Sequence, residues 1–593
     1  GKTEWVGLDA AVGLEYISRT DESTRCHFCP NLCSRTFIDT ATPDGDTARY
    51  ISGFSCEKGT VEDTDSLKAL NKERASLRKA YPNLVEWEGR ELFRSRYQTA
   101  PQAAPGTLID AVDVRLEHGA FGVKTDLPTK VIRTKVRRPV QRSSDEAWAK
   151  RKTFRVGIPR VLNLYSTAPY FRGYFEALGI DRRNVVFSDV SGEEMWVEGG
   201  KYGSIDPCHP AKVTQAHIHN LLFSKHEEKP LDIVFLPGIT HVKTPLTGVM
   251  DHASCPIVQG IGDVMRAAFT KERDLFGAKD VVFLNPAISF TEDHLLQDQM
   301  FNAFGEALGV TRDESDHAVR EGRNALASFQ AEIQTRGRQI LDSIEADDKL
   351  AILMLGRPYH SDPGLNHEVL EEFQTLGYPI LSMASIPADR DYLHRFFRED
   401  LEREVDPLPD IYDINDVWPE NFSANSAAKV WAAKFAARHP NIAVLDLSSF
   451  KCGHDAPIYH IVDGIISASK TPFSALHEID ANKPGGSIAI RVKTYGYTLE
   501  RHQERLEDLS ERKRELARRI EDKRAALLAR YDAEDRAREA QRAQVVAERP
   551  TPTWVPPATP AKQQPPKGGF VSLGRLKNKA REAKERARAF LGT

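Results

Sequence analysis

Leu231-Asp-Ile-Val-Phe-Leu236 is a short apolar run, and it belongs to a series of such runs that decides the fold. Helical stretches separate the runs from one another. This alternation predicts a parallel sheet with helices on both of its faces. The other runs of the series are Arg155-Val-Gly-Ile158, Asn184-Val-Val-Phe-Ser188 and Asp280-Val-Val-Phe-Leu284.

A second series of apolar runs follows the polar, helix-predicting stretch Asp313 to Glu345. Its predicted strands are Leu350-Ala-Ile-Leu-Met-Leu355, Pro379-Ile-Leu-Ser382 and Ile442-Ala-Val-Leu-Asp446. The fold class is therefore α/β. Two doubly wound parallel-sheet lobes that face each other across a cleft are the simplest arrangement of the two series.

Other segments flank the lobes. Near the C-terminus, Thr498 to Ala547 predicts one long charged helix with a thin apolar stripe formed by Leu506, Leu509, Leu516, Ile520 and Leu527, enough for a coiled coil or for packing along a neighbour. In chain order the predicted organisation is a Cys-rich metal or cluster module with helices (1–100), a basic linker (101–153), the first lobe (154–312), a connecting helix (313–349), the second lobe (350–497), the long helix (498–548), and a Pro-rich linker with a basic tail (549–593).

Composition narrows the class of protein. The net charge of -4 does not favour nucleic acid as the main partner, and no stretch approaches about 18 consecutive apolar residues, which argues against a membrane-spanning helix. Seven cysteines, four of them close together, do not suit a secreted disulfide framework and favour metal-bound thiolates in a reducing cytoplasm. The start at Gly1, without Met or a signal peptide, predicts a cut inside a longer protein.

Three cysteines stand alone, and each lies beside Pro or Gly where a strand is predicted to give way to a helix. They are Cys208 in Pro-Cys-His-Pro, Cys255 in Ser-Cys-Pro and Cys452 in Lys-Cys-Gly-His. A helix N-terminus stabilises a thiolate and lowers its pKa, and such loops meet at the carboxyl edge of a parallel sheet. Three converging thiolates suit an iron–sulfur cluster better than zinc. The spacing alone is equally consistent with three buried thiols that share no site.

Four segments that contain these and neighbouring residues resemble the 2-hydroxyacyl-CoA dehydratase subunit fold. They are Asp206–Val213, Ala253–Gln259, Gly356–His360 and Phe450–Asp455, and the opening Arg155–Arg160 resembles the long activase-related proteins in particular. The resemblance runs from about Arg25 to Thr494. It implies that Cys208, Cys255 and Cys452 hold a [4Fe-4S] or a double-cubane cluster, and that electrons come from an ATP-hydrolysing activase with its own cluster.

Polar residues near these cysteines are candidates for catalysis. Some follow predicted strands and are expected to line the cleft, and others are histidines or carboxylates suited to relaying protons. Each of them also fits a structural hydrogen-bonding role. The candidates that follow strands are Arg357, Tyr359, His360, Asn366 and Asn285, and the proton-relay candidates are His209, His454 and Glu478.

The four clustered cysteines form a second candidate metal site. Cys26, Cys29 and Cys33 are followed by Cys56 after a predicted hairpin, whose strands are Ser34 to Thr40 and Ala48 to Phe54. Four cysteines on two loops predict a zinc knuckle, and a [4Fe-4S] cluster is chemically open as well. The resembling family carries a Cys-rich region at this place, which favours the cluster.

Two functions follow from these patterns. The resemblance implies an iron–sulfur, electron-accepting component of an ATP-dependent low-potential reductase or dehydratase system, with an activase domain or protein as partner. The alternative is a non-catalytic partner in which a zinc module, a coiled-coil helix and a basic tail organise an assembly. The sequence contains no evident glycine-rich phosphate loop and does not indicate the substrate. It is compatible with a homodimer.

Overall fold

The computed structural model describes residues 12–28, 33–41, 47–53, 57–98, 100–120, 123–203, 208–402, 410–449, 451–480 and 485–549, together with Leu8 and Gly45. The chain divides into two compact units, residues 1–513 and 514–593. In the second unit the described residues form the later part of one long helix. The predicted Pro-rich linker and basic tail lie outside the described residues from Pro550 onward.

The N-terminal part contains a three-stranded antiparallel sheet. Its strands are β1 (Glu15–Arg19), β2 (Thr36–Ala41) and β3 (Thr47–Ser52), in the order β1-β2-β3. The two predicted hairpin strands are present as β2 and β3, whereas β1 was not expected. Two helices follow, Thr64–Ala80 and Leu84–Glu91, with Pro82 in the turn between them. Asn83 caps the second helix, because its side chain accepts from the backbone N–H groups of Val85 and Glu86.

One buried arginine ties this part together. The guanidinium of Arg35 donates to four backbone carbonyls, those of Thr24 (2.8 Å), Arg25 (3.2 Å), Gly59 (3.1 Å) and Val61 (2.6 Å). These carbonyls belong to the segment before β2 and to the turn after β3. Because a charged donor stabilises such contacts more than a neutral one, Arg35 holds these two segments together.

Residues 108–120 and 123–139 form a long antiparallel ribbon of two strands, β4 (Leu108–Ala120) and β5 (Val123–Pro139). The sequence predicts a basic linker or an exposed edge here, and the structure has an exposed hairpin strand in place of a linker. The cross-strand hydrogen bonds of a hairpin, which neither charge nor composition reveals, order the segment. The guanidinium of Arg138 donates twice to the carboxylate of Asp313, at 2.6 and 2.9 Å, and fixes the base of the ribbon. The short helix Asp145–Arg151 follows.

A parallel sheet follows with the order β10-β8-β6-β7, and a two-stranded parallel pair, β9 and β11, lies beside it. The strands are β6 (Val156–Ile158), β7 (Val185–Phe187), β8 (Ile233–Phe235), β9 (Gly238–His241), β10 (Val282–Leu284) and β11 (Ala287–Ser289). The helices between them are Leu164–Ala177, Glu193–Gly199, His209–Asn220, His226–Glu228 and Pro256–Thr270, and Asp293–Phe304 follows β11.

A second parallel sheet has the order β13-β12-β14-β15. Its strands are β12 (Ala351–Leu355), β13 (Ile380–Ser382), β14 (Ile442–Ser449) and β15 (Phe473–Ile479), the last of which was not predicted. The connecting helix Arg312–Ala346 precedes it and begins with a capping box between Thr311 and Glu314. The further helices are Pro363–Asn366, Val369–Thr375, Arg390–Leu401, Ala424–Arg438 and Tyr459–Ser469.

The last helix, Gly485–Ala547, starts earlier than the predicted Thr498. One side of its first turns is buried, because Val492, Tyr495 and Leu499 pack against the second sheet and the Tyr495 hydroxyl donates to the carbonyl of Val444 at 2.7 Å. The start therefore depends on tertiary packing, whereas the charge pattern marks only the later part. The α/β class, the parallel sheets and the long C-terminal helix are confirmed.

No helix in the described part of the chain combines the length and the apolar composition needed to cross a membrane.

Candidate functional site

A cavity of about 360 Å³ opens where loops from the two parallel sheets meet. All three solitary cysteines line it. Apolar and polar side chains share the rest of the lining. The remaining lining residues are Leu162, Asn163, Pro256, Ile257, Val258, Arg357, Tyr359, Asn425, Lys451, Gly453 and His454.

The position of each cysteine follows from its local sequence. Cys208 and Cys255 are the N-cap residues of the helices His209–Asn220 and Pro256–Thr270, and a proline occupies the first turn of each helix. Proline is favoured there because its missing N–H costs no helical hydrogen bond. The carbonyl of Cys452 accepts from the backbone N–H groups of Asp455 and Ala456 at 3.2 Å, just before another helical turn.

The thiol pKa values do not follow the expectation from the helix termini. Burial raises the pKa of Cys208 to about 11, and the nearby Cys452 and Cys255 thiolates add to the shift. Burial also raises the pKa of Cys452, with the Asp455 carboxylate as the next cause. The predicted lowering was wrong for these two residues, because the loss of water outweighs the stabilisation from backbone N–H groups. Without a bound cation both thiols stay protonated at neutral pH.

Arg357 brings a positive charge to the wall of the cavity. It follows β12, and its Nε donates to Oδ1 of Asp455 at 2.8 Å while its Nη2 donates to Ser426 Oγ at 2.7 Å. Burial is the largest single effect and disfavours the charged guanidinium, but the Asp455 carboxylate, together with the smaller contributions of Cys452, Tyr359 and Cys255, more than offsets it and raises the pKa of Arg357. Thiolates formed in this cavity would therefore face a permanent cation.

A buried lysine completes the charge balance behind Arg357. The ammonium of Lys429 lies 3.3 Å from Oδ2 of Asp455 and 2.5 Å from Oδ1 of Asp446. The other oxygen of Asp446 accepts from Nε2 of His477 at 2.8 Å. Burial lowers the pKa of Lys429, and the two carboxylates more than reverse that effect. Two buried cations thus face two buried carboxylates.

Tyr359 and His360 lie close to the cysteines in different ways. The hydroxyl of Tyr359 points at Sγ of Cys452, with 3.9 Å between oxygen and sulfur. Burial, followed by the Cys452 charge, raises the pKa of Tyr359 well above its usual value, so the hydroxyl remains a donor. His360 is not among the lining residues. Its Nδ1 accepts from the Arg357 backbone N–H at 2.9 Å, and burial lowers its pKa to about 3.

The proton-relay candidates occupy different places. His454 lines the cavity and its Nδ1 shares a hydrogen bond with Ser423 Oγ at 2.9 Å. Burial lowers the pKa of His209 to about 4, and its ring, which is not among the lining groups, packs edge-on against Trp196. Glu478 lines a separate, smaller cavity.

The two asparagine candidates also lie outside the cavity. The Asn366 amide donates to the carbonyl of His360, and Asn285 is paired with Arg266 and Asp263.

Two other asparagines in the cavity were not predicted. The Nδ2 of Asn425 donates to Oδ1 of Asn163 at 3.1 Å, whereas Nδ2 of the buried Asn163 has no hydrogen-bond partner among the residues that the structure describes. Asn163 directly precedes the helix Leu164–Ala177 and follows β6 by a short loop. The position of Asn163, a polar residue just beyond a predicted strand, was the feature of the sequence that could have identified it as a cavity residue.

The cavity residues suit a soft, anionic group. Thiolates favour soft metals and iron–sulfur clusters, and Arg357 offsets negative charge that would accumulate there. However, within the residues that the structure describes, no three His, Cys, Asp or Glu side chains form a group that could hold a metal ion.

The Cys-rich module is only partly described. Cys26 is buried, and its backbone N–H donates to the carbonyl of Cys33 at 2.9 Å, so these two residues are neighbours. Cys29 and Cys56 lie outside the described residues. The Arg35 contacts to Gly59 and Val61 hold the segment just after Cys56 against the segment that precedes Cys26.

Comparison with known proteins identifies one segment. Residues 155–386 match the family described as the CoA enzyme activase uncharacterised domain, which confirms the resemblance to 2-hydroxyacyl-CoA dehydratase and activase-related proteins over less than half of the chain. The matched segment includes Cys208, Cys255 and Arg357 and ends before Cys452. No curated protein matches the chain.

We predict that Lys429→Met lowers the free energy of unfolding by about 3–5 kcal/mol, because it leaves a buried carboxylate without its cation. Urea denaturation followed by circular dichroism measures the change. Lys79→Met, on an exposed helix position, is the control and should change stability by less than about 0.5 kcal/mol. Equal stability of the two variants would contradict the importance of the buried charges.

Proposed function

We propose that this chain, whose residues 155–386 form a CoA enzyme activase-related domain, is the iron–sulfur, electron-accepting component of an ATP-dependent low-potential reductase or dehydratase. Cys208, Cys255 and Cys452 would hold a [4Fe-4S] or double-cubane cluster between two lobes, residues 154–312 and 350–497. The observation that carries this proposal is that three cysteines, distant in sequence, line one cavity together with a buried arginine.

The donor set favours a cluster over a single ion. A cubane is larger than one metal ion, so its thiolate ligands stand farther apart around a cavity. This agrees with three cysteines that share a cavity without forming a compact group of ligands. Three protein thiolates also leave one iron open to a substrate, which four would not.

The chain's own residues would prepare the cavity for single-electron chemistry, which a bound cluster would supply. Arg357 stabilises added negative charge at the cavity wall, and the Tyr359 hydroxyl donates toward the Cys452 sulfur. Leu162, Ile257 and Val258 contribute apolar walls that exclude water. His454, held by Ser423, is the histidine of the cavity placed to take or give a proton. His209 and His360, whose buried rings remain neutral, would act by hydrogen bonding and packing.

The cysteine assignment predicts a shared spectroscopic signal. Cys208→Ser, Cys255→Ser and Cys452→Ser should each remove the same electron paramagnetic resonance species and lower the iron and acid-labile sulfide content of anaerobically purified protein. Ser254→Ala, a buried change next to Cys255 that leaves all thiols in place, is the control and should retain both. Three cysteine variants with wild-type iron content would show that the shared site is wrong.

For the N-terminal module we propose a second metal site at Cys26, Cys29, Cys33 and Cys56, with zinc or a [4Fe-4S] cluster. Chelation or Cys29→Ser should increase proteolysis within residues 25–60 and leave residues 154–497 intact, because so short a segment cannot bury enough apolar surface to hold itself together. Limited proteolysis with mass spectrometry measures this. Unchanged cleavage in both treatments would argue against a structural metal.

Electron delivery gives a further prediction. Reduction to a very low potential is uphill for ordinary donors, so an ATP-hydrolysing activase, as a separate protein or another region of a longer chain, is the proposed partner in the cytoplasm. The isolated chain should hydrolyse no ATP and should stay oxidised with a mild reductant, and adding activase with ATP should reduce it. The visible spectrum reports the outcome. ATP-driven reduction by this chain alone would overturn the division of roles.

The second candidate function is a non-catalytic zinc-containing assembly partner. It is favoured by the exposed apolar residues Leu509, Leu516, Ile520 and Leu527 on the long helix, which suit a coiled coil. Colour separates the two functions. Anaerobically purified protein should be brown and contain iron and sulfide under the first proposal, whereas colourless protein with zinc alone would support the second.

A further inference from the structure

The ribbon of β4 and β5 has one face whose described side chains are exposed. In the described part of the chain these strands pair with each other and with no other strand. Alternate residues of a strand point to opposite faces, and the register places Leu116 opposite Val131 and Val112 opposite Lys135. Leu108, Val112, Leu116 and Val131 share this face and are 54, 51, 49 and 45% exposed.

The opposite face is different. Ile109, Ala111, Ile132 and Val136 are each partly buried. Near its base, Arg138 reaches Asp313, a buried residue at the start of the helix Arg312–Ala346, and the backbone N–H of Gln141 donates to the same carboxylate at 2.8 Å. The ribbon is therefore fixed at its base and presents one particular face outward. An apolar row on such a face needs a partner to cover it, because small two-stranded sheets gain little stability by themselves.

The charges on the open face indicate what covers it. Arg133, Lys135 and Arg137 lie on the same face as the apolar row, and Asp110, opposite Arg137, is its one described acidic residue. The described side chains of the face therefore carry a net charge of about +2. Within the described part of the chain, none of the three basic side chains has an ion-pair partner.

We propose that this face is the docking site for the ATP-hydrolysing partner, and that the partner meets it with an acidic surface around an apolar centre. The inference rests on the proposed function and adds the place and the chemistry of contact. A second copy of the chain fits poorly, because two faces of the same positive charge repel each other. Nucleic acid also fits poorly, because the described side chains of the face include no aromatic residue for stacking and are interrupted by an apolar row.

Charge reversal on the two faces of the ribbon tests the proposal in the full-length protein. Arg133→Glu with Lys135→Glu changes the open face. Arg115→Glu with Lys130→Glu makes the same change in charge on the opposite face of the same strands and is the matched control. Circular dichroism and iron content establish that each variant is folded and loaded, and reduction by titanium(III) citrate, which needs no docking, should be the same for all.

The measured quantity is the activase concentration that gives half the maximal rate of ATP-driven reduction. We expect it to rise about tenfold or more for the open-face variant, with little change in the maximal rate, and to stay within about twofold for the control. Higher salt should weaken the wild-type interaction more than that of the open-face variant.

Several results would overturn the docking site. Equal half-saturating concentrations for wild type and the open-face variant would do so, as would an equal rise in the control. Sedimentation showing a wild-type dimer that the open-face variant loses would assign the face to self-association instead. Binding of a 20-nucleotide DNA that only this variant loses would assign it to nucleic acid. If no activase reduces the loaded wild type, the proposed function fails and this inference falls with it.

Discussion

The buried ion pair between Arg357 and Asp455 is the contact on which the site depends. It joins the residue that follows β12 to the loop that carries Cys452, two segments nearly a hundred positions apart. Both side chains are almost fully buried. Ser426 accepts a further hydrogen bond from Arg357, and the Lys429 ammonium donates to the second oxygen of Asp455. Removing one member of a buried ion pair is strongly destabilising, because it leaves the other charge buried without a partner.

Sheet topology explains why these segments meet. β12 and β14 are adjacent parallel strands, with Leu355 opposite Asp446, so the residues beyond their carboxyl ends emerge side by side. The same principle applies to the first sheet, where Leu162 and Asn163 follow β6. The Asn425 amide then bonds Asn163 across the cavity, and the Tyr165 hydroxyl donates to Asp362 at 2.6 Å, so polar contacts join the two sheet regions.

Burial governs the electrostatics of the site more than the helix termini do. Cys208 occupies an N-cap position and still has a raised pKa, since the apolar walls of the cavity disfavour the thiolate. The same loss of water keeps His209 and His360 neutral. A thiol that is protonated in the absence of metal must release its proton when it becomes a ligand, so metal binding at this site would be coupled to pH.

The sequence by itself determined the α/β class, nine of the described strands and the helix starts at Cys208 and Cys255, because apolar runs and turn-forming residues are local signals. It also placed Cys452 just beyond the carboxyl end of a strand, β14. Only the tertiary structure decided that Arg357, Tyr359 and His454 share their cavity while His209, Asn285 and Glu478 do not. It also revealed the β4–β5 ribbon, the Asn163 amide and the Lys429 charge balance. Those features depend on which distant segments pack together and exclude water, and no local pattern in a chain encodes that directly.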